Sequence, residues 1–293
     1  MTVRQALDGA ARQLENAGFA NGRGEAEILL GYLLSKGRAD LYLAGDTPLD
    51  TGAARTFGLW LLRRQSNEPI QYITGEAAYR DLVLEVGPGC FIPRPETELL
   101  VEETLAFLAG RSRPRVLEVG TGSGAIALSI AAERADAVVF ATELSPRALA
   151  FAARNRARLA PAVAARVHLV QGDLAGALRG PLDALISNPP YVAEREREFL
   201  PRDVLDHEPH LALFAADDGL AAIVRLIEDG ARVVVPGGLV ALELGEGQGD
   251  TVKARFLAHP AYEDARVRLD LAGKARMALA RRRHSPDGQG RTP

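Results

Sequence analysis

One cysteine, Cys90, occurs in 293 residues. A single thiol cannot close an intramolecular disulfide or supply a cysteine-based zinc site, so a reducing compartment is expected. No run of 18 apolar residues is present, and no transmembrane helix is expected. The opening residues Met1 to Asp8 reach polar side chains before an apolar segment can build up, which argues against a secretory leader and for a cytoplasmic protein. Charge of one sign is also lacking: 35 Lys and Arg against 38 Asp and Glu leave a formal net charge of −3. Nothing in that balance draws the whole chain toward nucleic acid or an acidic membrane. No internal repeat at solenoid spacing is found.

Hydrophobic residues make up 47% and charged residues 25% of the chain, the balance of a folded protein. The length exceeds that of one ordinary domain, so two are expected. Leu7, Ala10, Ala11 and Leu14 recur at helical spacing before Gly18, and Ile28, Leu29, Leu30, Tyr32 and Leu33 mark a second helix before Gly37. A third helix is predicted from about Thr51 to Arg64. Between Met1 and Gly75 eight basic side chains face eight acidic ones, so this region is no nucleic-acid arm and reads as a docking domain.

From Ile70 to Ile92 short β-branched and aromatic stretches are broken by glycine and proline, which predicts a hairpin. After Pro95 the pattern alternates. Helices at Glu96–Leu108, Ala125–Glu133 and Pro146–Leu159 are interleaved with strands at Arg115–Val119, Ala137–Thr142, Val167–Gln171 and Leu182–Ser187. Further along, helices near Gly219–Val233 and Asp250–Leu257 flank a strand at Leu239–Leu244, and a strand pair closes the region near Ala265–Leu271 and Arg276–Ala280. Such alternation means an α/β fold with a mostly parallel sheet covered on both faces, its ligands at the carboxyl ends of the strands. The expected division is a helical domain at 1–75, a hairpin linker at 76–94, a catalytic domain at 95–283 and a disordered tail at 284–293.

Glu118-Val119-Gly120-Thr121-Gly122-Ser123-Gly124 follows an apolar strand and opens a helix. Glycines there admit close approach of a ligand to the backbone, and a helix N-terminus favours an anionic group, although a plain strand-to-helix turn has the same look. A dinucleotide fingerprint needs its third glycine one residue later, where Ala125 stands. The string instead resembles the first motif of class I S-adenosylmethionine-dependent methyltransferases. Glu143, at the end of the next strand, is spaced to hold a ribose diol or, alternatively, to cap the helix starting at Ser145-Pro146. Asp173 and Leu174, after the third strand, stand where that class contacts adenine. Pro236-Gly237-Gly238 reads as a turn ahead of Leu239–Leu244.

Asn188-Pro189-Pro190-Tyr191 immediately follows the apolar strand Leu182–Ser187. Proline restricts the residue before it and carries no N–H, so a rigid turn offers the Asn188 side-chain oxygen and the Pro189 carbonyl as acceptors. Two acceptors suit a planar NH₂ group, whose nitrogen they can turn toward a methyl donor by alignment alone. No strong base is needed, because the methylated nitrogen is cationic and loses its proton readily. Tyr191 is expected to pack against the substrate.

The motif alone does not choose between an amide and a nucleobase amine. Three further segments do: Pro69 to Glu76, Phe91 to Glu98 (Phe-Ile-Pro-Arg-Pro-Glu-Thr-Glu), and Glu208 to Phe214 with Asp218 to Leu220. Together they closely resemble the PrmC/HemK family over nearly the whole chain. The resemblance implies a class I, Rossmann-like seven-stranded methyltransferase with a small N-terminal helical domain. It implies transfer of methyl from S-adenosyl-L-methionine, leaving S-adenosyl-L-homocysteine, to the glutamine N5 in the Gly-Gly-Gln motif of class I peptide chain release factors. Gly120, Thr121, Gly122, Ser123, Gly124, Glu143, Asp173, Leu174, Asn188 and Phe91 would then hold the cofactor. Asn188, Pro189, Pro190, Tyr191 and Arg94 would hold the substrate, with the N-terminal helices binding the release factor. A monomer with no metal, membrane or nucleic-acid partner is implied. Glu118 and Glu143 depart from the more common Asp, and Leu174 from an aromatic residue.

His207 and His210 are separated by Pro209 and read as loop residues, not metal ligands. Cys90 reads as a small buried residue. Arg281-Arg282-Arg283 reads as a solvated strand end, and Gln289 as part of the tail. The competing functions are a nucleic-acid amino-methyltransferase, which should carry a basic recognition surface, and a noncatalytic cofactor-binding scaffold, which has no use for Asn188 to Tyr191.

Overall fold

A threonine starts the first helix. Gln5 N donates to Thr2 Oγ1 at 3.3 Å while Thr2 N donates to Gln5 Oε1 at 2.9 Å, a reciprocal cap that fixes the entry to Val3–Asn16. The computed structural model describes residues 1–270 and 272–284; the expected tail from residue 285 on, with Gln289, lies outside the described residues, as does Leu271. Two units pack internally: residues 1–76 with 201–207, and residues 77–200 with the chain from 208.

In the first unit, helices Val3–Asn16, Gly22–Leu34 and Thr51–Gln65 bury the apolar stripe anticipated from the spacing, with Leu7, Leu14, Leu29, Leu30, Phe57 and Leu61 at its centre. Arg64, 6% exposed, crosses this core. Its Nε and Nη2 meet Glu25 at 2.7 and 3.2 Å, Nη1 donates to the Glu68 carbonyl at 3.1 Å, and the guanidinium lies over Phe19. The helical turn Arg202–His207 belongs to this unit, with His207 Nε2 at 3.1 Å from the Ser66 carbonyl oxygen.

Ahead of the sheet, two segments differ from the sequence reading. The hairpin expected from Ile70 starts with a helix, Ile70–Thr74, closed by Gly75 at φ 81°. Its β-branched Ile73 is buried in the helical core, so packing overrides strand propensity. Strands are confined to β1 (Glu76–Tyr79) and β2 (Leu82–Glu85). A short helix, Arg38–Leu43, was not anticipated; only Leu41 in it is buried, too little for a period to show.

The second unit holds the sheet, with strands β3 (Arg115–Val119), β4 (Val138–Glu143), β5 (Val167–Gln171), β6 (Leu182–Ser187), β7 (Val234–Glu243), β8 (Tyr262–Leu269) and β9 (Ala275–Arg282). Their order is β5-β4-β3-β6-β7-β9-β8; β9 runs antiparallel to both neighbours, and β3 to β7 run parallel. Alternate residues feed two cores. Val116, Val139 and Ile186 pack with Leu128 on one face, and Leu117, Leu185 and Val240 pack with Leu226 on the other. A sheet buried on both faces explains why β3 and β6 read as continuous apolar runs.

The Pro236-Gly237-Gly238 turn is a correction. β7 runs through it as one strand, and the pairing jumps from Leu182↔Val234 to Ala184↔Leu239, so the extra residues bulge out of the ladder. Gly238 allows the bulge, since a Cβ there would lie 2.7 Å from the Asp183 carbonyl oxygen. Beyond the bulge the register is even: Val119 lies opposite Thr142 and Ser187, Thr142 opposite Val170, and Ser187 opposite Leu242. The carboxyl ends of β3 to β7 are therefore level, and the segments that follow them leave from one edge.

Trp60 is the only tryptophan and sits in helix Thr51–Gln65 beside Tyr32, so its fluorescence reports on the first unit. Arg64→Ala removes one partner of a buried ion pair and should lower that unit's stability by about 3 kcal/mol. Urea titration followed by Trp60 emission checks this; an unchanged midpoint would show that Arg64 does not hold the helices together.

Candidate functional site

At the level strand ends of the second unit a cavity of about 450 Å³ opens. The glycine loop after β3 forms one wall. Gly120, Gly122 and Gly124 have φ of 73°, 55° and 88°, and a Cβ at Gly120 or Gly122 would project into open space. The loop's amides are largely spent on the fold: Gly120 N and Thr121 N donate to the Thr142 carbonyl at 2.9 and 3.0 Å, and Gly124 N donates to the Thr121 carbonyl at 2.8 Å. Its role is to let a ligand come close, more than to present a row of free donors.

Glu143 ends β4 beside this loop. Oε2 accepts from Gly122 N at 2.9 Å and Oε1 from Ser145 N at 2.8 Å, so two backbone amides fix the carboxylate and each oxygen keeps acceptor capacity for another donor. It does help start the next helix, Pro146–Ala157, but Ser145 Oγ is the cap, accepting from Ala148 N at 3.2 Å. Asp173 and Leu174 follow β5 and line the same cavity, Leu174 at φ 49°. Asp173 Oδ2 accepts from Arg225 Nη2 at 2.6 Å, an exposed pair whose bond a ligand can exchange at little cost.

Asn188 leaves β6, where Ser187 Oγ donates to the Val119 carbonyl at 2.7 Å and ties β6 to β3. Asn188 Nδ2 donates to Thr97 Oγ1 at 3.1 Å, which commits the amide nitrogen and leaves Oδ1 as the free acceptor. Asn188, Pro189, Pro190, Thr97 and Phe91 all line the cavity.

Three expected residues do not: Gly124, whose amide is turned to the Thr121 carbonyl where the loop enters the next helix, Arg94 and Tyr191. Arg94 lies outside the cavity lining, over the Phe91 ring at 4.9 Å and in an ion pair with the buried Glu208. Glu208 Oε2 also accepts from Ile92 N at 3.1 Å, so this pair braces residues 91–94, and Arg94 is held by its anion. Tyr191 turns away: its O–H points to Glu243 Oε1 at 3.4 Å and its ring lines a second, smaller cavity with Phe199 and Gln248. Burial raises the phenol well above its ordinary pKa, and nearby Glu243 adds to the shift.

Three further residues contribute; in the sequence Glu118 is marked only as standing where Asp is common, and Tyr79 and Glu243 are not singled out there. Glu118, 1% exposed at the floor, accepts from Thr121 Oγ1 at 2.5 Å and from Ala127 N at 2.9 Å; burial nevertheless pushes its carboxyl up to about 8. A charged residue inside an otherwise apolar strand was the available signal. Tyr79 lines the cavity, and its hydroxyl is buried without a hydrogen-bond partner. Glu243, at the end of β7, is 4% exposed; burial pushes it up to about 7 against the favourable hydroxyls of Thr97 and Tyr191.

Cys90 is buried, and burial with nearby Glu143 and Glu208 pushes its thiol up to about 12, which suppresses the thiolate. His210 packs edge-on against Phe214. Among the described residues no group of three His, Cys, Asp or Glu is placed to hold a metal ion, and no helix is long and apolar enough to cross a membrane.

A glycine turn, an acid closing the next strand and a sheet whose only reversed strand is β9 define the class I methyltransferase fold. The catalytic domain of hMettl16, solved with a MAT2A 3′UTR hairpin, superposes with a TM-score of 0.56 over 81% of this chain and 84% of that one; at 16% identity the likeness is one of fold. Residues 5–75 match the PrmC N-terminal domain and residues 95–207 the methyltransferase small domain. The release factor glutamine methyltransferase of Moorella thermoacetica is 43% identical over 97% of this chain and 99% of its own. That of Escherichia coli is 39% identical over 88% and 92%. The chain belongs to the release factor glutamine methyltransferase family.

Glu118 generates a pH prediction. Its native pKa is raised from the ordinary 4.5 to about 8, so the folded state holds a proton that the unfolded state releases, and stability falls as pH rises through that window. Glu118→Gln keeps an oxygen for both donors and has no proton to lose. Wild type should therefore lose stability relative to Glu118→Gln between pH 5 and pH 8 in thermal melts; a difference constant with pH would contradict the assignment.

Proposed function

We propose that this protein transfers the methyl group of S-adenosyl-L-methionine to the side-chain amide nitrogen of the glutamine in the Gly-Gly-Gln motif of class I peptide chain release factors. The observation that carries the reading is the Asn188 amide, whose nitrogen is engaged by Thr97 and whose oxygen is left to accept, on the wall of the cavity that also holds the Gly120–Ser123 loop and Glu143.

The cavity fits the cofactor. Gly120 and Gly122 leave space that any side chain would fill, the Glu143 carboxylate is fixed with acceptor capacity to spare for the ribose hydroxyls, and Asp173 with Leu174 offers a polar edge and an apolar surface for the adenine. When bound, it supplies an electrophilic methyl on a sulfonium. The chain does the rest by position. The Asn188 Oδ1 and the Pro189 carbonyl each accept one N–H of the glutamine amide, which fixes the plane of that amide and turns its nitrogen lone pair toward the methyl. So aligned, the amide nitrogen would take the methyl that the sulfonium releases and would then shed a proton of its own to water.

The exposed apolar side chains of the N-terminal unit support a docking role. Leu59 and Leu62, three residues apart on helix Thr51–Gln65, are 54% and 63% exposed. In the proposed reading they contact the body of the release factor, because a grip on one amide is too small to hold a protein.

Two predictions follow from these assignments. Asn188 was expected to touch both cofactor and substrate and is assigned here to the substrate amide, so Asn188→Ala should keep its affinity for S-adenosyl-L-methionine in calorimetry yet lose about a hundredfold in single-turnover rate with release factor; normal turnover would end the amide-clamp account. Leu59→Glu with Leu62→Glu should raise KM for whole release factor by roughly tenfold, the effect of losing about 1.4 kcal/mol of contact, with kcat preserved. An unchanged KM would remove the docking role from that helix face.

A further inference from the structure

The Asn188 amide serves its proposed purpose in only one of its two orientations, and the hydroxyl that contacts it does not by itself decide which. A threonine hydroxyl is both donor and acceptor. In the observed arrangement Thr97 Oγ1 accepts from Asn188 Nδ2 at 3.1 Å. With the amide turned over, the same hydroxyl could donate to Oδ1, and the NH₂ group would then face the substrate. Two NH₂ groups cannot bind each other as the transfer requires.

What breaks the symmetry lies behind Thr97. Glu243, at the level end of β7, is 4% exposed, and its Oε2 is buried and short of a donor. Thr97 is itself 4% exposed, and its hydroxyl is the side-chain hydrogen-bond partner that most favours the ionised form of Glu243, ahead of Tyr191. Above the pH of about 7 to which burial raises its pKa, Glu243 is a carboxylate and only accepts. If it takes the single Thr97 proton, Oγ1 has only lone pairs to offer Asn188, and Nδ2 must turn to it. Thr97 is held in place for this, its N donating to the Arg94 carbonyl at 3.1 Å in the short turn Pro95–Thr97.

We infer that Thr97 and Glu243 are positioning residues for methyl transfer: a buried carboxylate polarises the Thr97 hydroxyl, and the hydroxyl locks the Asn188 amide with its oxygen toward the substrate. The inference rests on the amide-clamp reading. It explains why a carboxylate is buried at the end of β7, where an apolar side chain would cost less. It also assigns work to the Pro-Glu-Thr segment, which lies far from Asn188 in sequence.

The test uses the full chain, purified release factor and single-turnover methylation at about pH 8.5, where Glu243 is ionised, with folding verified by circular dichroism and cofactor affinity by calorimetry. Thr97→Val, which keeps the shape and removes the hydroxyl, should lose about tenfold or more in rate with cofactor affinity and release-factor KM within twofold. Thr97→Ser should stay within about threefold of wild type. Glu243→Gln, whose NH₂ can donate to Thr97 and reverse the relay, should lose rate as Thr97→Val does. In an Asn188→Ala background Thr97→Val should cost less than twofold, because the amide it orients is gone. Full activity of Thr97→Val, equal damage in Thr97→Ser, or an undiminished loss in the Asn188→Ala background would overturn the relay. A wild-type protein that methylates no release-factor glutamine would instead overturn the function on which the relay rests.

Discussion

Five parallel strands that end at the same level constrain everything else in the catalytic unit. Because β3 to β7 share an even register past the bulge in β7, the residues leaving their carboxyl ends must line one edge, whatever their distance in sequence. Gly120, Glu143, Gly172, Asn188 and Glu243 are brought to one region by this rule alone. The sheet is buried on both faces, so the edge is also where polar side chains can gather without breaking the cores.

The edge is rigid, and the rigidity is local chemistry. Ser187 ties β6 to β3, the Thr142 carbonyl holds two amides of the glycine loop, and Glu143 holds a third together with the start of the next helix. Pro189 and Pro190 remove backbone freedom from the turn that carries Asn188. A reaction that asks for alignment and little acid or base chemistry is suited to such a scaffold. The two buried carboxyls pushed upward, Glu118 and Glu243, sit within this framework.

What the sequence disclosed follows from how each signal is encoded. The strand and helix alternation after Pro95 is periodic and local, and the glycine loop, Glu143, Asp173 and Asn188 each announce themselves by following an apolar strand. Side-chain direction is not encoded that way. Tyr191 was expected at the substrate and turns to Glu243; Arg94 was expected in a channel and is captured by Glu208, more than a hundred residues away in the chain. Thr97 and Glu243 matter because of a partner that only the fold supplies. Ile70–Thr74 reads as strand because β-branched residues favour one, but burial against the helical core decides otherwise.

The central claim is that a substrate amide nitrogen meets two fixed acceptors at this edge. A crystal structure of the protein with S-adenosyl-L-homocysteine and a Gly-Gly-Gln peptide measures it directly. The account predicts the glutamine side-chain nitrogen within about 3 Å of both Asn188 Oδ1 and the Pro189 carbonyl oxygen, with Asn188 Nδ2 still on Thr97. A glutamine bound with its carbonyl oxygen on Asn188 Nδ2, or seated away from Asn188 altogether, would contradict it.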